Sequence, residues 1–164
     1  MMSLRKDLRV ITMKIISIDP GNEESAYCLM DGYKPIEFGK IENHELLAKV
    51  KELDYDKLII EMVASYGMPV GATVFETCVW IGRYIEASKK ESEYIYRREE
   101  KINLCNSMRA KDSNIRQALI DRFGIVGTKK KPGYFYGFKA DIWSAYAVGV
   151  TYLDTKIDIN KPIW

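Results

Sequence analysis

The stretch Lys57 to Val63, KLIIEMV, constrains the fold of this chain more than any other segment. A short, continuous apolar run of this kind reads as a strand covered on both faces, and such strands lie centrally in sheets with parallel neighbours. Residues 139–154, KADIWSAYAVGVTYLD, impose a second condition, since they are apolar on nearly every face of a helix and need burial all round. Earlier in the chain, residues 14–19, 24–30 and 33–41 read as three strands, with Asp31-Gly32 as a hairpin turn between the last two. Asn43 is expected to cap a helix over 44–53, where Leu46, Leu47, Val50 and Leu53 recur at helical spacing. Pro69 and Gly71 break the chain before a helix over 72–89. Residues 94–97, YIYR, suggest a short fifth strand. Asp112 or Ser113 caps a helix over 113–123, which Gly124 ends, and residues 124–137 form a Gly-rich, basic, aromatic loop. The order βββαβαβαα defines an α/β fold. It is a mixed five-stranded sheet, a three-strand antiparallel meander plus parallel strands, with helices on both faces.

Three of these core segments each contain one carboxylate. Asp19 ends the first strand, Glu61 sits inside LIIEMV, and Asp141 lies in the first turn of the apolar helix. Each has an ordinary explanation. Asp-Pro-Gly is a good turn, Glu61 could face solvent or a lysine, and an acid suits the positive end of a helix. The coincidence of all three is harder to explain, because burying an unpaired carboxylate costs several kcal/mol. A shared divalent cation would settle all three. One histidine and three scattered cysteines without a CxxC pair argue against zinc and disulfides, and for a reducing, cytoplasmic setting. The implied cation is therefore hard, Mg²⁺ with Mn²⁺ as a substitute. No apolar run is long enough to span a membrane, and the N-terminus has no apolar h-region. Residues 1–12 are expected to be an extension outside the fold, leaving 13–164 as a single domain.

Charge is divided along the chain. Residues 83–139 carry 14 Lys/Arg against 7 Asp/Glu, whereas residues 1–82 carry 9 against 13. An acid-rich half beside a basic half suits a protein that sets metal-binding acids against a polyanion. Lys129, Lys130 and Lys131, followed by Tyr134, Phe135 and Tyr136, could neutralise phosphates and stack on exposed bases, or the rings could pack on the core. Lys111 and Arg116 flank a helix start and could meet a backbone phosphate. Lys139, two residues before Asp141, could stabilise charge at a reacting phosphate.

Taken together, IISIDPG, LIIEMV and KADIWSAYAVGVTY resemble the RuvC-type Holliday junction resolvases of the ribonuclease H-like superfamily. The resemblance is closest to the small versions from phages and Gram-positive bacteria. It covers roughly residues 14–154 and implies a crossover junction endodeoxyribonuclease that hydrolyses phosphodiesters with two Mg²⁺ ions. Asp19, Glu61 and Asp141 would hold the metals, and no other small-molecule cofactor is implied. It further implies branched DNA as partner, a homodimer, and an aromatic in the loop after the fourth strand that probes the junction, here Tyr66. The extra apolar positions of helix 72–89 could supply the dimer face. One departure stands out, since the family's second helix acid is replaced by Ser144, a weaker and neutral ligand. A water or another acid would then fill the gap, with Asp112 as a distant substitute. The competing readings are a related nuclease acting on flaps, forks or RNA–DNA hybrids, an ATPase of the actin and sugar-kinase fold, whose Asp-x-Gly turn is similar but whose two domains commonly need more than ~300 residues, and a non-catalytic module that binds branched DNA.

Overall fold

The computed structural model describes residues 13–157, so the expected extension over 1–12 and the tail from 158 lie outside the described residues. Strands β1 (Lys14–Asp19), β2 (Glu24–Asp31) and β3 (Lys34–Glu42) form the antiparallel meander, with Gly32 in the left-handed region at the β2–β3 turn. After α1 (Asn43–Glu52), β4 (Lys57–Met62) inserts parallel to β1, and after α2 (Ala72–Ser88), β5 (Glu91–Tyr96) adds parallel to β4. The sheet order is β3-β2-β1-β4-β5, a mixed five-stranded sheet with β1 and β4 flanked on both sides. The chain closes with α3 (Arg97–Cys105), α4 (Asp112–Phe123) and α5 (Ile142–Thr155).

Strand alternation sorts the core into two layers. Ile15, Cys28, Met30 and Ile59 point to the face covered by α5, where Ala145, Tyr146, Val148 and Tyr152 are buried. Ile16, Ile18, Leu58 and Ile60 point to the other face, against Leu46 and Val50 of α1 and Ile81 and Tyr84 of α2. Gly149 lets α5 settle on the sheet. A Cβ there would lie 2.3 Å from Met30 Sδ and 3.0 Å from Ser17 Oγ.

Several sequence expectations shift. Glu42, not Asn43, caps α1, because its side chain accepts from the His44 amide. Asn43 is fully buried instead, accepting from Ser25 and Tyr84 hydroxyls and donating to the Gly21 carbonyl, which pins the turn after β1. Lys111 occupies the cap position of α4, and α5 starts at Ile142 rather than at 139. The fifth strand begins at Glu91, earlier than the expected 94. Helix α3 has no counterpart among the expected elements. RREEKINLC has no apolar stripe, and only Glu100 on it is buried.

Candidate active site

Parallel pairing brings the first two acids together. β1 and β4 run side by side with Ile18 opposite Ile60, so one further step sets Asp19 beside Glu61. Asp19 has the same parity as Ile15 and Glu61 the same as Ile59, so both carboxylates point to the face that α5 covers. Asp141 stands at the N-terminus of α5, which packs on β1 and β2 from that side. The preceding Ala140 is held at φ 48°, a left-handed turn that leads into the helix. All of this lies beyond the carboxyl ends of three parallel strands, the usual place for a ligand crevice in such sheets.

Three residues join the site that were not singled out from sequence. Lys40 of β3 pairs with Ala26, which pairs with Asp19, so the lysine lies on the same row of the sheet. Its ammonium meets Asp141 Oδ2 at 2.7 Å. Arg97 opens α3 directly beyond β5, pairs with Glu100 Oε1 at 3.1 Å, and also bridges to Asp112. Glu100, one turn into α3, has no exposed surface and stands against Glu61. Lys40 was findable from the hairpin register. Glu100 gave no signal, because its neighbours are as polar as it is.

Burial dominates the electrostatics. It raises Asp19 to about 8, helped by repulsion from Glu61 and, less, from Asp141. It raises Glu61 to about 9, with Glu100 as the main neighbouring acid. Glu100 rises to about 7, with Arg97 pulling the other way. Partly or wholly buried and set against one another, these carboxyls hold their protons to higher pH than ordinary ones unless a cation replaces them.

Three hollows meet around these groups. One of about 320 Å³ is lined by the Pro20–Glu24 turn, Asp19, Lys40 and Asp141. A second, about 330 Å³, runs from Asp19 and Glu61 past Arg97 to Tyr66, Val70 and Val74. The third, about 220 Å³, lies between Arg97, Arg116, Asp112, Asp141 and Ser144. Tyr66 is thus at the lip of the cleft, 63% exposed, with its backbone at φ 49°. Arg116 and Ser144 line the third hollow, while Lys111 and Lys139 are exposed close by in sequence. Lys129, Lys130 and Lys131 sit on the exposed tip of a small hairpin closed by the Gly127–Pro132 bridge, and line none of these hollows. Tyr136 is exposed, but Tyr134 is not free to stack on a base. It lies against Phe123 at 5.5 Å and donates its hydroxyl to the Tyr33 carbonyl, while Phe135 is completely buried among Phe138, Trp143 and Tyr146.

The donor set fits a hard divalent cation. It consists of carboxylate oxygens, and two of them, Glu61 Oε1 and Glu100 Oε2, are buried with no hydrogen-bond partner. Among the described residues no three His, Cys, Asp or Glu side chains are already gathered as a formed metal site. Asp141 instead answers to Lys40, and Glu100 to Arg97.

This arrangement of a mixed five-stranded sheet and helices is the ribonuclease H-like fold. The structure is similar to Thermus thermophilus RuvC bound to a Holliday junction substrate, with a TM-score of 0.64 and 13% identity, over 85% of this chain and 92% of that one. It is similar to Thermus thermophilus RuvC alone with a TM-score of 0.62 and the same 13% identity, over 85% and 93%. No protein-family profile and no curated protein sequence matches the chain. No helix among the described residues is long and apolar enough to cross a membrane.

Proposed function

We propose that this chain is a metal-dependent endonuclease that resolves four-way DNA junctions as a homodimer. The observation that carries the reading is the meeting of Asp19 and Glu61 on neighbouring parallel strands, with Asp141 on the helix above them. The fold shared with RuvC, one of whose structures holds a Holliday junction, supports the choice of substrate. Asp19, Glu61 and Asp141 would hold Mg²⁺ or Mn²⁺. Such ions, when bound, make a water a stronger nucleophile and stabilise charge on phosphate oxygens.

The chain's own groups prepare the rest. Lys40 and Arg97 neutralise the acids before cations arrive and are then free to meet the DNA backbone. Arg116, Lys111 and Lys139 surround the third hollow or stand close to it in sequence, and suit the neighbouring phosphates. Tyr66 presents a ring to bases at the branch point. In the reaction the water oxygen bonds to phosphorus, the bond from phosphorus to the 3′ oxygen breaks, and a proton ends on that oxygen. The products are a 5′ phosphate and a 3′ hydroxyl.

Asp19→Asn tests the reading. It is expected to abolish cleavage of a synthetic four-way junction while binding in Mg²⁺-free buffer stays intact. Unchanged cleavage overturns the proposal. A panel of junctions, flaps, forks and RNA–DNA hybrids, compared at equal enzyme, is expected to rank the junction first.

A further inference from the structure

Ser144 leaves the site one carboxylate short of the pattern it resembles, and the structure offers two acids that could fill the place. Asp112 is one of them. Its side chain is 85% exposed, it borders the outer hollow with Ser144, and it is already engaged by Arg97. A solvated acid of this kind has no unmet need for a cation. Glu100 is the other. It has no exposed surface, and Arg97 reaches only Oε1, at 3.1 Å, leaving Oε2 buried and without a partner.

Its neighbour Glu61 has the matching defect, with Oε1 buried and unpartnered. The two side chains stand against each other, so a shared proton is one way to satisfy them and a shared cation is the other. Buried oxygens of adjacent carboxylates left unpaired are expensive, and a hard cation satisfies them together. The backbone supports the same conclusion. Met62 of β4 pairs with Tyr96, the last residue of β5, so α3 starts beside the Glu61 end of β4 and carries Glu100 back over it. Resting on the nuclease reading above, we propose that Glu100 supplies the fourth carboxylate of the divalent-cation site, from α3 rather than from α5, and that Arg97 is its counter-ion while the cation is away.

The test is calorimetric titration of Mn²⁺ alone into DNA-free protein, beside melting curves in EDTA. Glu100→Gln is expected to weaken Mn²⁺ binding by about tenfold or more, or to remove one of two binding steps. Its melting temperature in EDTA should stay level or rise, because the amide removes a carboxyl whose ionisation burial opposes, while Arg97 keeps Asp112 as a partner. Asp112→Asn should bind Mn²⁺ within about twofold of the parent, as expected for an exposed group. Adding Ser144→Asp to Glu100→Gln should recover part of the lost affinity.

Wild-type Mn²⁺ affinity in Glu100→Gln overturns the proposal, as does a lowered melting temperature with unchanged affinity, which marks a structural role. If Glu100→Gln does not fold, Glu100→Asp carries the test, since it keeps the charge but withdraws the oxygens. Weaker binding by that folded variant supports the assignment and unchanged binding overturns it. Failure of the nuclease reading is separable. Glu100-dependent Mn²⁺ binding by a protein that cuts no branched DNA sinks the activity and leaves the site. Cleavage and Mn²⁺ binding that both survive Glu100→Gln do the reverse.

Discussion

Asp19, Glu61 and Glu100 hold protons that ordinary carboxyls release near pH 4, because burial and one another's charge oppose ionisation. The sign of the consequence follows. A carboxyl raised in the folded state adds stability that is full below its unfolded pKa and is lost as pH climbs through the folded value. With folded values from about 7 to about 9, the melting temperature in EDTA should fall by several degrees between pH 6 and pH 9. Asp19→Asn should flatten that slope, and saturating Mg²⁺ should abolish or invert it by taking the protons' place. Circular dichroism melts across this range check the expectation, and a melting temperature that rises with pH in EDTA contradicts it. Asp19 and Glu61 were legible in the sequence because each interrupts an apolar run. Glu100 was not, since RREEKINLC gives burial no contrast to work against, and only the fold reveals which of its acids turns inward.

The elements that frame the acids were readable wherever hydrophobic pattern decides structure. β4 and α5 are apolar because they are covered, and the meander announces itself by alternation and the Asp31-Gly32 turn. What pattern does not convey is how closely two elements approach. Gly149 reads as a weak point in a helix, yet in the structure it is where α5 meets Ser17 and Met30. Alanine there would gain about 1 kcal/mol of helix propensity. It would also force Met30, which has no exposed surface, out of its rotamer or lift α5 from the sheet, costing about 1–3 kcal/mol. The net expectation for Gly149→Ala is a loss of stability in urea denaturation. Because α5 carries Asp141, any lift should also weaken Mn²⁺ binding. Truncating Met30 in the same chain should cost less than the two changes separately, the mark of a shared contact.

At the scale of the whole molecule, one apolar surface left uncovered among the described residues is the outer face of α2. Its inner face is spent on Thr77, Ile81, Tyr84 and Ser88. Phe75 and Val79, one turn apart, are 61% and 63% exposed, and Gly82 continues the line with open space around it. Sequence periodicity showed that this helix carries more apolar positions than one stripe needs, but not which of them the monomer leaves uncovered. In the proposed homodimer a second copy would cover it. A two-fold axis apposes the same patch on both chains, and a junction with two equivalent strands to cut needs two sites. The dimer predicts that Phe75→Asp with Val79→Asp sediments as a monomer at micromolar concentration, where the parent is a dimer. The variant should keep its fold and its Mn²⁺ affinity, because neither residue borders the acids. Each site would still nick a strand, but the paired cuts that separate a junction into two duplexes would become independent. On a supercoiled cruciform plasmid the nicked circle should then accumulate ahead of the linear product. A parent protein that sediments only as a monomer removes the dimer from the proposal, while the single-site chemistry continues to rest on Asp19, Glu61 and Asp141.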